Sequence, residues 1–335
     1  MPTALITGAA GQDGLHLGAY LRRLGYDVVA VTQFGSQHER DLIRSHAGDV
    51  KVVTCDITDI VSVATIIGET TPDEIYNLAA LSSVRASWEQ PLTACNVNGV
   101  GLVAILEAVR LAGRPPESPI KIFQASSAQL FDDLEGDETF NEDTPIRPTS
   151  PYAASKALAH FMADGYRRRY GMFVSCGILG NHESALHDQE FVVPRITSTV
   201  ARIAAGQATE LVLDNLTGTR DWGYAGDFVV AMHAALQHRT AEDFVIATGE
   251  LHTVEDVVRA AFNAAGISDW RPFVRVTGAG SGQPHRTLRA DIGKARQLLG
   301  WKPVTSFDVL VGRMVQQAMA GEGSTEDVTA IGRQA

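Results

Sequence analysis

Three side chains in this sequence have the types and spacing for proton and hydride chemistry at a hydroxyl-bearing carbon. Tyr152 and Lys156 stand four residues apart in Pro151-Tyr152-Ala153-Ala154-Ser155-Lys156, which puts both on one face of a helix. An ammonium beside a phenol lowers the phenol's pKa and makes Tyr152 a usable base near neutral pH. Ser127 closes the stretch Gln124-Ala125-Ser126-Ser127 at the end of an apolar run. There it can hold a substrate hydroxyl or carbonyl against the phenol. Tyr–Lys pairs with this spacing also occur on solvated helices; the strand-end Ser upstream is what gives this pair weight.

A second group suits phosphate. Gly8-Ala9-Ala10-Gly11-Gln12-Asp13-Gly14 lies between the first apolar run and the first helical stretch. Glycines there let the backbone turn tightly and approach a pyrophosphate, which faces the positive end of the helix. Gly8, Gly11, Gln12, Asp13 and Gly14 are therefore candidate cofactor contacts. Asp56 ends the third strand and could equally cap the helix beginning near Asp59. The second strand ends in Val31-Thr32-Gln33-Phe34, with neither the acidic residue that selects NAD nor the arginine that selects NADP. The missing arginine points to NAD and leaves NADP open.

These residues need a scaffold, and the pattern supplies one. Apolar, β-branched runs at 4–7, 28–32, 51–55, 74–79, 120–125 and 173–178 alternate with helical stretches, the long ones at 92–110 and 152–170. Such alternation predicts an α/β fold: a doubly wound, parallel-sheet Rossmann domain over 1–180 with a return segment around 220–250. Later helices near 194–205, 227–237, 254–265, 291–299 and 306–320 enclose short strands at 210–213, 244–247 and 273–276. They predict a smaller α+β substrate-binding domain from 181–219 and 251–320, followed by a flexible polar tail, 321–335.

The chain has 335 residues, is 45% hydrophobic and carries a net charge of -11. That is enough apolar material for a core, whereas nucleic acid and anionic lipid are poor partners for an acidic surface. The three cysteines, Cys55, Cys95 and Cys176, are dispersed and read as buried thiols rather than disulfides or metal ligands. No basic leader or uncharged membrane-length run is visible, so a cytoplasmic location is expected.

The sequence resembles the extended short-chain dehydrogenase/reductases, and most closely the GDP-mannose 4,6-dehydratase family. The resemblance runs from Leu5-Ile6-Thr7-Gly8 and Gly11-Gln12-Asp13-Gly14 through Glu74-Ile75-Tyr76-Asn77-Leu78, Phe123-Gln124-Ala125-Ser126 and Ser150-Pro151-Tyr152. It continues in Asn181-His182-Glu183-Ser184, Arg220-Asp221-Trp222-Gly223, the 243–250 stretch and Trp301-Lys302-Pro303. It implies an adenine contact from Asp56 and further cofactor contacts from Ile57, Leu78, Ala79 and Ala80. It implies that Tyr152 takes the O4 proton of a nucleotide sugar as a hydride leaves C4, that Lys156 holds the nicotinamide ribose, and that Ser127 binds O4.

One departure bears on the reaction. Where the family has a Glu that removes the C5 proton and helps expel the C6 hydroxyl, this chain has Gln129, and Phe131 stands for a Tyr. An amide is no general acid or base near neutral pH, and losing such a group commonly costs about 10²–10⁴ in rate. Asp132, Asp133 or His182 could replace it, but the two aspartates lie beyond the matched strand end. For the substrate, the resemblance implies Arg220 on the diphosphate, Asn181 on sugar or phosphate, and Arg195 near the base. The family's Arg-Pro-x-Glu segment is replaced by Ser281-Gly282-Gln283-Pro284, with Arg286 following.

The expectation is an NAD(P)-dependent enzyme acting on a nucleotide sugar, GDP-linked, by hydride transfer at C4, with epimerisation or 4-keto redox chemistry favoured. The alternatives are 4,6-dehydration with another base and a cofactor-binding regulator without catalysis. The resemblance also implies a homodimer built on the helices at 92–110 and 152–170; the altered 32–41 segment leaves a homotetramer open.

Overall fold

The computed structural model describes residues 1–115, 118–133, 139–278 and 288–321. The first half alternates β1 (Thr3–Thr7), α1 (Gln12–Arg23), β2 (Asp27–Thr32), α2 (Gln37–Ala47), β3 (Lys51–Thr54), α3 (Ile60–Thr70) and β4 (Glu74–Asn77). Then come α4 (Val84–Glu89), α5 (Pro91–Ala94), a π-helical turn at Cys95–Val100, α6 (Gly101–Ala112), β5 (Lys121–Ser127), β6 (Thr139–Phe140), α7 (Pro151–Tyr170), β7 (Val174–Leu179) and β8 (Asn181–Glu183). The second half holds α8 (Val192–Ala204), β9 (Leu211–Leu213), β10 (Thr219–Arg220), β11 (Trp222–Tyr224), α9 (Ala225–Gln237), β12 (Phe244–Ile246), β13 (His252–Thr253) and α10 (Val254–Ala264). It ends with β14 (Val274–Val276), β15 (Arg289–Ala290), α11 (Gly293–Leu299) and α12 (Phe307–Ala320).

Seven strands form one parallel sheet in the order β12-β7-β5-β4-β1-β2-β3. Chain order reverses between β1 and β4, and a ligand crevice opens at such a switch point, outside the strands' carboxyl ends. Apolar clusters cover both faces. One packs α1 and α9 against the sheet through Leu17, Leu21, Phe123, Phe228 and Met232. The other packs α3 and α6 through Val63, Ile67, Ile105 and Leu106. A third core, separate in composition, joins α8, α10 and α12 through Ile196, Val200, Val257, Phe262 and Leu310.

Register sets the crevice floor. Thr7 pairs with Asn77, and Asn77 with Gln124, so three polar side chains stand side by side at the ends of β1, β4 and β5. All three are buried and joined: the Thr7 hydroxyl donates to Asn77 Oδ1 at 2.7 Å, and Asn77 Nδ2 donates to Gln124 Oε1 at 2.7 Å. The Thr7 oxygen also accepts from the backbone N–H of Leu78 and Ala79 at 3.1 and 3.2 Å, bending the chain sharply out of β4.

Several expectations are corrected. The helix expected at 92–110 is present within Pro91–Ala112, but it carries a π-helical turn at Cys95–Val100. There Asn98 accepts from the Leu81 N–H at 2.8 Å and donates to Ser155 Oγ at 2.9 Å, bonds that tie the turn to the crevice loop and α7. The whole segment, Pro91–Ala112, is long and apolar enough to cross a membrane by length and composition, and just over half of it is buried in the protein. Helix α2 has no counterpart in the sequence reading; its apolar face is narrow, and it is fixed by a capping box between Ser36 and Glu39. The strand near 244, inside the return segment expected around 220–250, is β12 of the main sheet, where its three residues pair with β7. Cys95 is only half-buried.

Replacing Asn77 by Ala removes the acceptor of the Thr7 hydroxyl proton and the donor to the Gln124 carbonyl in a buried site. The expected cost is about 2 kcal/mol, seen as a lower urea midpoint at unchanged slope.

Candidate active site

A cleft of about 1130 Å³ opens over the carboxyl ends of the sheet and reaches from the β1–α1 turn to Arg220. Its shape depends on two glycines. Gly8 takes φ +66°, and a Cβ there would lie 2.8 Å from the Ala79 nitrogen; a Cβ on Gly14 would lie 2.5 Å from the Gly8 carbonyl. The turn is thus pressed against the end of β4 and against the start of α1, leaving a bare backbone cradle that fits a diphosphate. Gly11, Gln12 and Asp13 line the same cradle, and Asp56, Ile57, Leu78, Ala79 and Ala80 line the pocket beside it. These residues fit a dinucleotide. Asp56 does not cap α3: Asp59 does, accepting from the Val61 N–H at 3.1 Å, while Asp56 accepts from Thr58.

Asp13 adds a carboxylate to the lining of the cradle, and His182 is its partner. His182 Nε2 stands 3.0 and 2.9 Å from the two Asp13 oxygens, its Nδ1 faces the Gly180 carbonyl at 2.8 Å, and its ring stacks on Phe228 at 4.6 Å. Burial works against the charged imidazole, but the Asp13 charge and hydrogen bond outweigh it and hold His182 at about 9. Burial likewise opposes the Asp13 carboxylate; attraction to His182 prevails and keeps its pKa below the ordinary value. Gln12 repeats the connection, donating to the His182 carbonyl at 3.1 Å and accepting from Ser184 at 2.9 Å. The phosphate turn and the β8 loop are therefore fastened together by a neutralised pair.

Ser127, Tyr152 and Lys156 come together as expected, at the end of β5 and the start of α7. The Ser127 hydroxyl faces the Tyr152 phenol and works to lower its pKa. The Lys156 ammonium donates to the Ala125 carbonyl at 2.9 Å and lies 5.8 Å from the centre of the Tyr152 ring. Burial pulls Lys156 down to about 8, against the opposing pull of Asp13. The expected lowering of the phenol pKa by Lys156 is corrected: burial raises the Tyr152 pKa, the Ser127 hydroxyl lowers it, and Asp13 and Asp132 add to the rise. The reason is geometric, since the ammonium is held by a backbone carbonyl over the ring face.

Gln129 lines the cleft just past Ser127, its backbone N–H donating to Ser127 Oγ at 3.2 Å. Asn181 and Arg220 line the far end. Arg220 is not paired with Asp221. That carboxylate is buried and accepts from Thr248 Oγ1 at 2.6 Å and the Gly249 N–H at 2.7 Å, and Arg220 remains exposed with one bond to the Thr219 carbonyl. Arg195 sits exposed on α8 and is not among the lining residues. Arg286 and the 281–284 segment lie outside the described residues.

The sequence reading missed a pair in the cleft wall. Buried Glu183 contacts His187 Nδ1, and the His187 ring stacks on Phe191 at 4.0 Å. The four-residue spacings Glu183–His187 and His187–Phe191 were the available signal. Glu39, close to the end of β2, also lines the pocket, while Arg40 turns to the Gly35 carbonyl at 3.1 Å.

A sequence profile of the GDP-mannose 4,6 dehydratase family matches residues 5–314. GDP-mannose 4,6 dehydratase 2 of Arabidopsis thaliana is 39% identical over 324 residues, covering 94% of this chain and 86% of the relative. The human GDP-mannose 4,6 dehydratase is 36% identical over 337 residues, covering 93% and 90%. Among solved structures, the Thermus thermophilus UDP-glucose 4-epimerase in complex with NAD superposes with a TM-score of 0.79 at 26% identity, covering 95% of this chain and 99% of that one.

Because the folded value for His182 lies above its ordinary 6.5, its share of stability is complete below about 6.5 and is lost as pH rises through about 9. The share of Asp13 has the opposite sign and is lost only in acid. The stability advantage of the wild type over His182→Gln, read from urea midpoints, should be large at pH 7 and shrink towards pH 10; a growing advantage would reverse the assignment.

Proposed function

The chain belongs to the GDP-mannose 4,6-dehydratase family, and from that membership we propose that it transfers hydride at C4 of a GDP-linked hexose, either oxidising C4 and returning the hydride, as in epimerisation, or delivering hydride from a reduced nicotinamide to a 4-keto sugar. The observation that carries this reading is the cleft wall: Ser127, Tyr152 and Lys156 line it together, and so does an amide, Gln129, at the position that the resemblance assigns to the family's carboxylate. A nicotinamide dinucleotide, held by the Gly8–Gly14 cradle and the residues beside it, would supply the hydride acceptor or donor. Tyr152 takes the O4 proton while Ser127 holds O4 in line. Lys156, fixed by the Ala125 carbonyl, holds the ribose side. Arg220 gives the diphosphate an exposed guanidinium suited to an oxyanion, and Asn181 offers an amide beside it.

Between the two cofactors the pocket supports NAD. The wall after β2 carries Glu39 and no lining arginine among the described residues, which suits a ribose hydroxyl better than a 2′-phosphate. A second reading, 4,6-dehydration, is favoured by the identity to dehydratases along nearly the whole chain. Product analysis with GDP-mannose and other GDP-hexoses separates the two: unchanged mass with an inverted C4 supports the first, loss of one water the second. In either case Tyr152→Phe should lower kcat by about 10²–10⁴ with cofactor affinity kept.

We also propose a two-fold homodimer. Its support is an exposed apolar strip on α4, α5 and α7, with Trp88 64%, Leu92 78% and Phe161 58% exposed, more than a lone surface needs. Leu92→Glu with Phe161→Glu should give a monomer by light scattering, where the wild type gives a dimer.

A further inference from the structure

We propose that Asp132 and Gln129 work as one unit in the cleft wall, Asp132 being the positioning residue that fixes the Gln129 amide as a neutral hydrogen-bonding group towards the sugar. This deepens and rests on the C4 reading. One end of the Gln129 amide lies 3.0 Å from both Asp132 carboxylate oxygens, and only with the amide nitrogen at that end does a hydrogen bond form, since two acceptors cannot bond each other. Thr149 Oγ1 donates to the same carboxylate at 3.3 Å. Gln129 lines the cleft and Asp132 does not, so the carboxylate stands behind the amide. A bond to an ionised acceptor is stronger and more directional than one between neutral groups. It commits the nitrogen end of the amide to Asp132 and turns the carbonyl oxygen away from it, which selects one of the two orientations an amide can take. What position 129 then offers a sugar is a fixed acceptor rather than a proton carrier.

The unit also explains why a carboxylate is unsuited to this position. A second carboxyl in place of the amide would stand about 3 Å from Asp132, and two carboxylates that close share a proton. Asp133, the next residue, and Tyr152, whose phenol feels the Asp132 charge, are acids as well. Gln129→Glu alone would place a protonated acid there, not the free base that C5 deprotonation needs.

The test is a carbon-13 titration of labelled Glu carboxyls in the intact Gln129→Glu enzyme and in Gln129→Glu with Asp132→Asn. The signal of the introduced carboxyl, assigned as the one absent from the wild type, should titrate well above the ordinary ~4.3 in the single variant. In the double variant it should fall by about one pH unit or more. An introduced carboxyl that titrates normally, or that ignores Asp132→Asn, overturns the pairing. In the otherwise native enzyme, Asp132→Ala should weaken GDP-mannose binding about fivefold by calorimetry and leave GDP unchanged. Equal loss for both ligands, or no loss, overturns the positioning role. The titration needs no turnover, so its failure is distinguishable from failure of the C4 reading.

Discussion

A buried row of hydrogen bonds across three strand ends holds this site in place. Thr7, Asn77 and Gln124 lie adjacent in register, and the row ends where Gln124 Nε2 donates to the Ala125 carbonyl at 2.9 Å. That carbonyl also accepts from the Lys156 ammonium. One network therefore bends the chain after β4, sets the end of β5 that carries Ser127, and anchors the helix that carries Tyr152. Buried polar groups are costly unless every member is satisfied, and here each serves both the sheet and the site.

The two lobes meet through a second constraint. The phosphate turn includes a carboxylate, Asp13, and the β8 loop answers with His182. The pair costs desolvation on both sides, recovered by mutual attraction in a buried setting. Beyond it the later lobe is locked to α9: Trp301 Nε1 donates to the Asp227 carbonyl at 2.9 Å, and Asp227 Oδ2 accepts from the N–H of Val304 and Thr305. The Arg220 end of the cleft is thus fixed relative to the catalytic end.

Much of this was legible in the sequence, for physical reasons. A parallel strand is buried on both faces, so β1, β2 and β7 read as largely apolar runs. The glycine turn and the Tyr–Lys spacing each need only local geometry. What escaped depends on distant partners. The π turn at Cys95–Val100 is shaped by Asn98 reaching Leu81 and Ser155. Helix α2 buries only Ile43 and Ala47, too little for a periodic signal. The position of Lys156 over the ring, and the grip of Asp132 on Gln129, follow from three-dimensional neighbours that spacing cannot reveal.

We propose that this cleft handles a proton and a hydride at C4, and that with Gln129 at the family's carboxylate position it does not deprotonate C5. The most direct measurement incubates the wild-type enzyme and its cofactor with GDP-mannose in deuterium oxide and follows C5 of the sugar by NMR while reduced nicotinamide is monitored by absorbance. The account predicts cycling of the nicotinamide with C5 keeping its original hydrogen. Deuterium entering C5 as fast as the cofactor turns over would contradict it.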